Sequence, residues 1–169
     1  HATSGRGGPV VIDFPAFTQL QEVSESTVPD IVGTRADRGA AVDPDTADEV
    51  AALIAGAERP VLFAGTGLRW ARTVPDLASL AETAGLPVFV NSLARGALPW
   101  NHPYLGNRAR SWALASADLV IALGVDWDFR TKFGAAVSPA ARVVHVDAEP
   151  IKIGWNRRAD VGVAADPGV

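Results

Sequence analysis

Five short apolar runs recur from residue 59 onward, and each stops on a glycine or a polar residue: "RPVLFAG", "LPVFVN", "DLVIALG", "RVVHVD" and "ADVGVAAD". They are continuous rather than alternating, so strands made from them have no face left for water. Between them lie helical patterns. In "TVPDLASLAETAG", Leu77, Leu80, Ala81 and Ala84 share one helix face and Gly85 ends it. "SWALASA" and "EPIKIG" supply two shorter helical stretches. Buried strands separated by helices predict a parallel sheet covered on both sides, a doubly wound, Rossmann-like α/β fold.

The chain ahead of these runs reads differently. Val10 to Asp13 predicts a short buried strand ended by Pro15, with no neighbouring strand to pair with. Residues 16 to 42 lose periodicity and collect Ser, Thr, Gly, Pro and scattered charge, which predicts an extended interdomain linker. Order resumes at Asp43-Pro44, a helix cap followed by proline at the first helical position, with Val50, Leu53, Ile54 and Ala57 forming the apolar face. The expected organisation is therefore residues 1–15 as the tail of a preceding domain, 16–42 as linker and 43–169 as one α/β domain. A start at His1 and the lack of any methionine suit a piece of a longer polypeptide, the alternative being a processed mature protein.

Composition removes several classes of partner. Net charge is -4 and no Lys/Arg cluster exceeds Arg157-Arg158, which disfavours nucleic acid and anionic membranes. The absence of cysteine removes disulfides, thiolate metal sites and cysteine nucleophiles, and suits a cytoplasmic protein. No apolar stretch is long enough to span a bilayer.

In doubly wound sheets ligands bind beyond the carboxyl ends of the strands, near the point where strand order reverses. The residues there are Gly65 and Gly67, Asn91 and Ser92, Gly124 and Val125, Asp147 and Ala148, and Asp166. Glycines let backbone N–H groups approach a phosphate, and a carboxylate can take a ribose diol, so together they predict a nucleotide-binding edge. Each also has a plain structural reading, as a turn glycine or a cap. "GTGLRW" departs from the dinucleotide fingerprint, with Trp70 where a third glycine belongs. No catalytic or metal-ligating constellation appears. His145 lies within a strand and reads as a satisfied core residue, and His102 as a turn residue. The five tryptophans, Trp70, Trp100, Trp112, Trp127 and Trp155, fall mostly in loops and suggest packing between domains or subunits.

Taken in order, "RPVLFAGTG", "LPVFVNSLARGALPWNHPYLG", "ADLVIALGVDWDFR" and "VVHVDAEPIKIGWNRRADVGVAAD" resemble the central domain of thiamine-diphosphate-dependent enzymes, nearest the acetolactate synthase branch. "GPVVIDFP" is similar to the end of that family's N-terminal pyrimidine-binding domain. The resemblance implies a carboligase or decarboxylase of 2-oxo acids, oligomeric when full length. Its catalytic glutamate and its sites for thiamine diphosphate and Mg2+ would lie in flanking domains, so this segment would not catalyse alone. It further implies FAD or ADP in this domain, on Gly65, Gly67, Asn91, Ser92, Gly124, Val125, Asp147, Ala148 and Asp166. One departure counts against that ligand. The family's loop after this strand commonly carries an arginine near the phosphates, and here Asp126 takes its place. Repulsion from a diphosphate amounts to about 1 kcal/mol at 4 Å in water and more at lower dielectric. Arg130 and Lys132 are the nearby cations in sequence that could offset it. The alternatives are a free-standing NAD-type nucleotide module and a scaffold that binds no nucleotide.

Overall fold

The computed structural model describes residues 6–28, 42–71 and 75–167. Its centre is a five-stranded, all-parallel sheet of β1 (Pro60–Ala64), β2 (Val88–Val90), β3 (Leu119–Leu123), β4 (Arg142–Asp147) and β5 (Val161–Ala164), in the order β2-β1-β3-β4-β5. Each of the five apolar runs from residue 59 onward becomes a strand. The doubly wound reading holds because adjacent side chains in β1, β2, β3 and β4 bury on opposite faces. β5, at the end of the sheet, buries only Val161 and Val163 and departs from the continuous burial expected of its run. Leu62 and Ala64 face one core with Val88, Val90, Ile121 and Val144. Val61 and Phe63 face the other with Phe89, Val120, Ala122 and Val143.

Helices close both sides. α1 (Pro44–Gly56) begins at Asp43, whose carboxylate accepts the Thr46 N–H at 3.1 Å, and its Val50, Leu53 and Ile54 pack on the first core. α2 (Pro75–Ala84) adds Leu77 and Ala81 to the same core and ends at Gly85, whose φ of +64° only glycine adopts readily. α3 (Arg110–Ser116) covers the second face with Ala113 and Leu114, helped by Trp127 and Val137 from the long β3–β4 connection. Leu80, expected on the buried face of α2, is 37% exposed.

Three sequence expectations are modified. Residues 7–15 form no strand, and Val10 to Phe14 stand exposed. A lone strand leaves its backbone N–H and C=O groups without a ladder, so nothing fixes it as one. The stretch read as a structureless linker carries two single turns of 3-10 helix, Ala16–Leu20 and Glu25–Thr27, while its residues 29–41 lie outside the described residues. The helix read at "EPIKIG" is one 3-10 turn, Pro150–Lys152.

The outer edge of β2 is covered. The Val88 N–H donates to the Tyr104 carbonyl at 2.8 Å, and the Val88 carbonyl accepts from the Gly106 N–H at 3.0 Å. A side chain at Gly106 would stand only 3.0 Å from the Phe89 ring, so glycine lets the covering segment lie this close.

Strand order reverses between β1 and β3, and there the two strand-end loops touch backbone to backbone. Gly65 donates to the Leu123 carbonyl at 2.9 Å and Gly67 to the Gly124 carbonyl at 2.8 Å. A Cβ on Gly67 would fall 2.6 Å from the Gly124 Cα, and one on Gly124, whose φ is +57°, 2.5 Å from the Gly67 Cα. Gly124→Ala is expected to lower stability by about 2–5 kcal/mol through left-handed strain plus overlap. Gly56→Ala, at the end of α1 with open space around it, should leave stability unchanged or slightly raised. Urea unfolding of both variants against the parent chain measures the contrast.

Candidate functional site

The carboxyl edge of the sheet gathers most of the sequence-selected residues, in two halves. The first lies at β1 and β2. Gly65 and Gly67 are buried there, and the loop runs into a single 3-10 turn, Thr66–Trp70, rather than an α-helix. Their N–H groups are donated to carbonyls of the β3 loop, as described above. Asn91, 4% exposed, donates its backbone N–H to the Ala64 carbonyl. Its side-chain oxygen accepts from the Ser92 N–H at 2.9 Å and from Arg110 at 3.4 Å. Ser92 adopts a left-handed φ of +49°, a sparsely populated conformation for serine. Beside it, Leu68, Arg69 and the Ser92–Ala97 loop line an open cavity of about 360 Å³.

The second half lies at β3 and β4. Gly124 and Val125 are buried, and the next residue, Asp126, is half-buried and close enough to Asp147, at the end of β4, for the two charges to interact. Asp147 is fully buried. One of its oxygens accepts the Glu149 N–H at 2.9 Å, a turn built by an acid onto its own backbone two residues on. The Pro150 turn is capped not by Asp147 but by Glu149, without a side-chain cap hydrogen bond, and Ala148 sits half-buried between the two acids. Asp166 follows β5 at the far side of the sheet and is half-buried.

The cation facing these acids comes from the beginning of the chain. Arg6 forms a fork on Asp126, with Nη1 to Oδ1 at 2.9 Å and Nη2 to Oδ2 at 2.8 Å. Its Nη1 also lies 3.5 Å from the second oxygen of Asp147, which has no hydrogen bond of its own. Lys152 approaches Asp126 at 3.4 Å from the short turn after β4. The cations expected to offset Asp126 do otherwise. Arg130 pairs with Asp128 and stacks over Phe129, and Lys132 is exposed. Nothing in the sequence spacing pointed to Arg6, 120 positions away. The one available signal was Asp126 itself, a carboxylate at a strand end that needs a cation once half-buried.

Burial alone would disfavour the charged form of Asp126, but the Arg6 fork and the Arg6 and Lys152 charges outweigh it and hold the carboxyl below its ordinary value. Asp147 goes the other way. Its burial, reinforced by Asp126 and Glu149, raises it against the Glu149 N–H and Arg6. For Arg6, burial works against the charge and the Asp126 and Asp147 carboxylates more than restore it.

Behind this cluster lies His145, fully buried on the same face of β4 as Asp147. Its Nδ1 accepts the Gly154 N–H at 3.3 Å, and its ring meets the Trp127 edge at 5.9 Å between centroids. The expected satisfied core histidine is thus satisfied on one nitrogen only, since Nε2 has no hydrogen-bond partner. His102 is in a turn, as read, and reaches Glu82 at 3.2 Å. Trp127 departs from the interface role given to the tryptophans, being core against Phe63. The other four are exposed, Trp100 most of all. Among the described residues no group of three or more His, Asp or Glu could hold a metal ion, and no helix is long and apolar enough to cross a membrane.

A sheet of this order, with its acids and glycines at the carboxyl edge, defines a Rossmann-like domain that occurs within larger enzymes. The particular family follows from sequence comparison: residues 47–169 match the central domain of thiamine pyrophosphate enzymes, and the chain belongs to that family. It is similar to an acetolactate synthase of Mycobacterium bovis, 36% identical over 98% of this chain and 28% of that protein. A probable acetolactate synthase large subunit of Methanocaldococcus jannaschii is 32% identical over 98% of the chain and 30% of its own length. The chain thus spans under a third of these relatives.

Burial pushes the His145 imidazole down from 6.5 to about 4, Arg6 adding to the effect and the Val125 backbone and Asp126 opposing it. The unfolded chain takes up this proton near pH 6.5 and the folded chain only near 4. The stability contributed by neutral His145 is therefore whole above pH 6.5 and is lost as pH falls toward 4. Asp147, with its raised value, acts in the opposite sense at the bottom of that window. The urea midpoint should fall between pH 7 and pH 5 in the parent chain and fall less in His145→Gln.

Proposed function

We propose that this chain is the central, architectural domain of a thiamine-diphosphate-dependent carboligase or decarboxylase of 2-oxo acids, working in the cytoplasm as part of an oligomer. The observation that carries the reading is the match of residues 47–169 to the family's central domain, together with relatives that are acetolactate synthases. In the whole enzyme thiamine diphosphate, bound with Mg2+, supplies the electron sink for the 2-oxo acid's carbon. The resemblance puts the groups that hold it in flanking domains, and Val10 to Phe14 would complete a sheet of the preceding one. The exposed tryptophans Trp100, Trp112 and Trp155 suit burial against those domains or a second subunit.

Within this domain we favour the scaffold over the dinucleotide site. A diphosphate would need free backbone donors and a cation at the point where strand order reverses. The Gly65 and Gly67 N–H groups are donated to the neighbouring loop, and Arg6 is engaged by Asp126. The residues at the β1–β3 and β3–β4 strand ends therefore do not fit an FAD or ADP diphosphate. The cavity beside Ser92, with exposed Arg69 and Arg95 on its rim, favours a second reading, in which a smaller anionic ligand binds at the β1–β2 half alone.

FAD, ADP and inorganic phosphate, each at 1 millimolar or above, separate the readings through mass-action stabilisation. The scaffold reading expects no change in melting temperature with FAD or ADP. A rise of about 3 °C or more with FAD or ADP would establish the dinucleotide site. A rise with phosphate that Arg95→Ala abolishes would establish the second reading.

A further inference from the structure

Residues 8–17 and 19–28 are exposed, so very little of the described stretch 6–28 is buried. Arg6 is the exception, with a side chain only 8% exposed and both terminal nitrogens on one carboxylate. The receiving groups come from two neighbouring strands: Asp126 from the loop after β3, and fully buried Asp147 from the last position of β4. One Asp147 oxygen is held by the Glu149 N–H, and the other faces the guanidinium without a hydrogen bond from any group. A planar fork meeting a carboxylate edge-on is the geometry that distinguishes arginine from lysine. We propose that Asp126 and Asp147 form a guanidinium-binding site at the carboxyl edge of the sheet, and that Arg6 occupies it to pin the segment ahead of the linker against this domain.

The pin has a directional consequence. It fixes the point at the carboxyl edge of the sheet from which the exposed residues Val10 to Phe14 run on, and so how whatever precedes the linker is set against β3 and β4. Lys152 adds charge at 3.4 Å from Asp126 but comes from the domain itself, so it cannot tether the segment. The same Arg6–Asp126 fork supports the scaffold reading, but the ligand titrations test that reading by a different measurement from the one that tests the anchor.

A double-mutant cycle on the full 169-residue chain tests it. Arg6→Ala and Asp126→Asn should each lower the melting temperature by about 3–8 °C, and the double variant by no more than the worse single change. Arg6→Lys should recover less than half of the loss from Arg6→Ala. Additive losses, or an Arg6→Ala chain as stable as the parent, would overturn the proposal. A second readout does not depend on stability. The Arg6 Nη–H protons should give slowly exchanging NMR resonances in the parent chain and in Asp128→Asn, and lose them in Asp126→Asn. Persistence of those resonances in Asp126→Asn would equally overturn it.

Discussion

The backbone contact between the β1 and β3 loops governs this molecule. At the reversal of strand order two chain segments turn away from adjacent parallel strands, and here they do so close enough for Gly65 and Gly67 to donate to the opposite loop. That approach tolerates no Cβ on Gly67 or Gly124. It sets the direction in which the chain leaves β3, delivering Asp126 to the crevice and Trp127 to the second core. The same two hydrogen bonds remove the donors that a phosphate would have used. One constraint thus builds the strand ends and narrows what they can bind.

Around it the charges arrange themselves by burial. Two carboxylates converge because parallel strands place their ends side by side, and leaving both ionised without a counter-charge would be costly. The response is split: Asp126 stays charged through the fork with Arg6, while Asp147 is shifted toward its neutral form. His145, one step deeper, is held neutral by the same dry surroundings. The cluster is a graded transition from a half-exposed ion pair to an apolar core.

The sequence made the sheet legible because each strand is a continuous apolar run and each full helix repeats at three to four residues. β5 is the informative exception, with burial alternating along Val161–Ala164 as befits a strand at the end of the sheet. Helix caps such as Asp43 and stops such as Gly85 were also local enough to be read. The Val10 to Asp13 strand was not realised, since a strand is a property of pairs, and its apolar pattern says nothing of whether a partner is at hand. The site was half legible for the same reason. Strand-end residues are fixed by topology, but the cation that answers Asp126 lies 120 positions away and leaves no periodic trace. The glycines were visible as glycines, whereas whether they cradle a ligand or a neighbouring loop depends on tertiary approach alone.

The covering of β2 has a consequence for how such a domain behaves in company. An open strand edge is a template on which another chain can pair and from which aggregates grow. Here Tyr104 and Gly106 take up the Val88 backbone groups, and the close seat on Phe89 keeps that cover in place. The β2 flank is sealed against edge-to-edge growth, so association on that flank must proceed through side chains rather than through extension of the sheet.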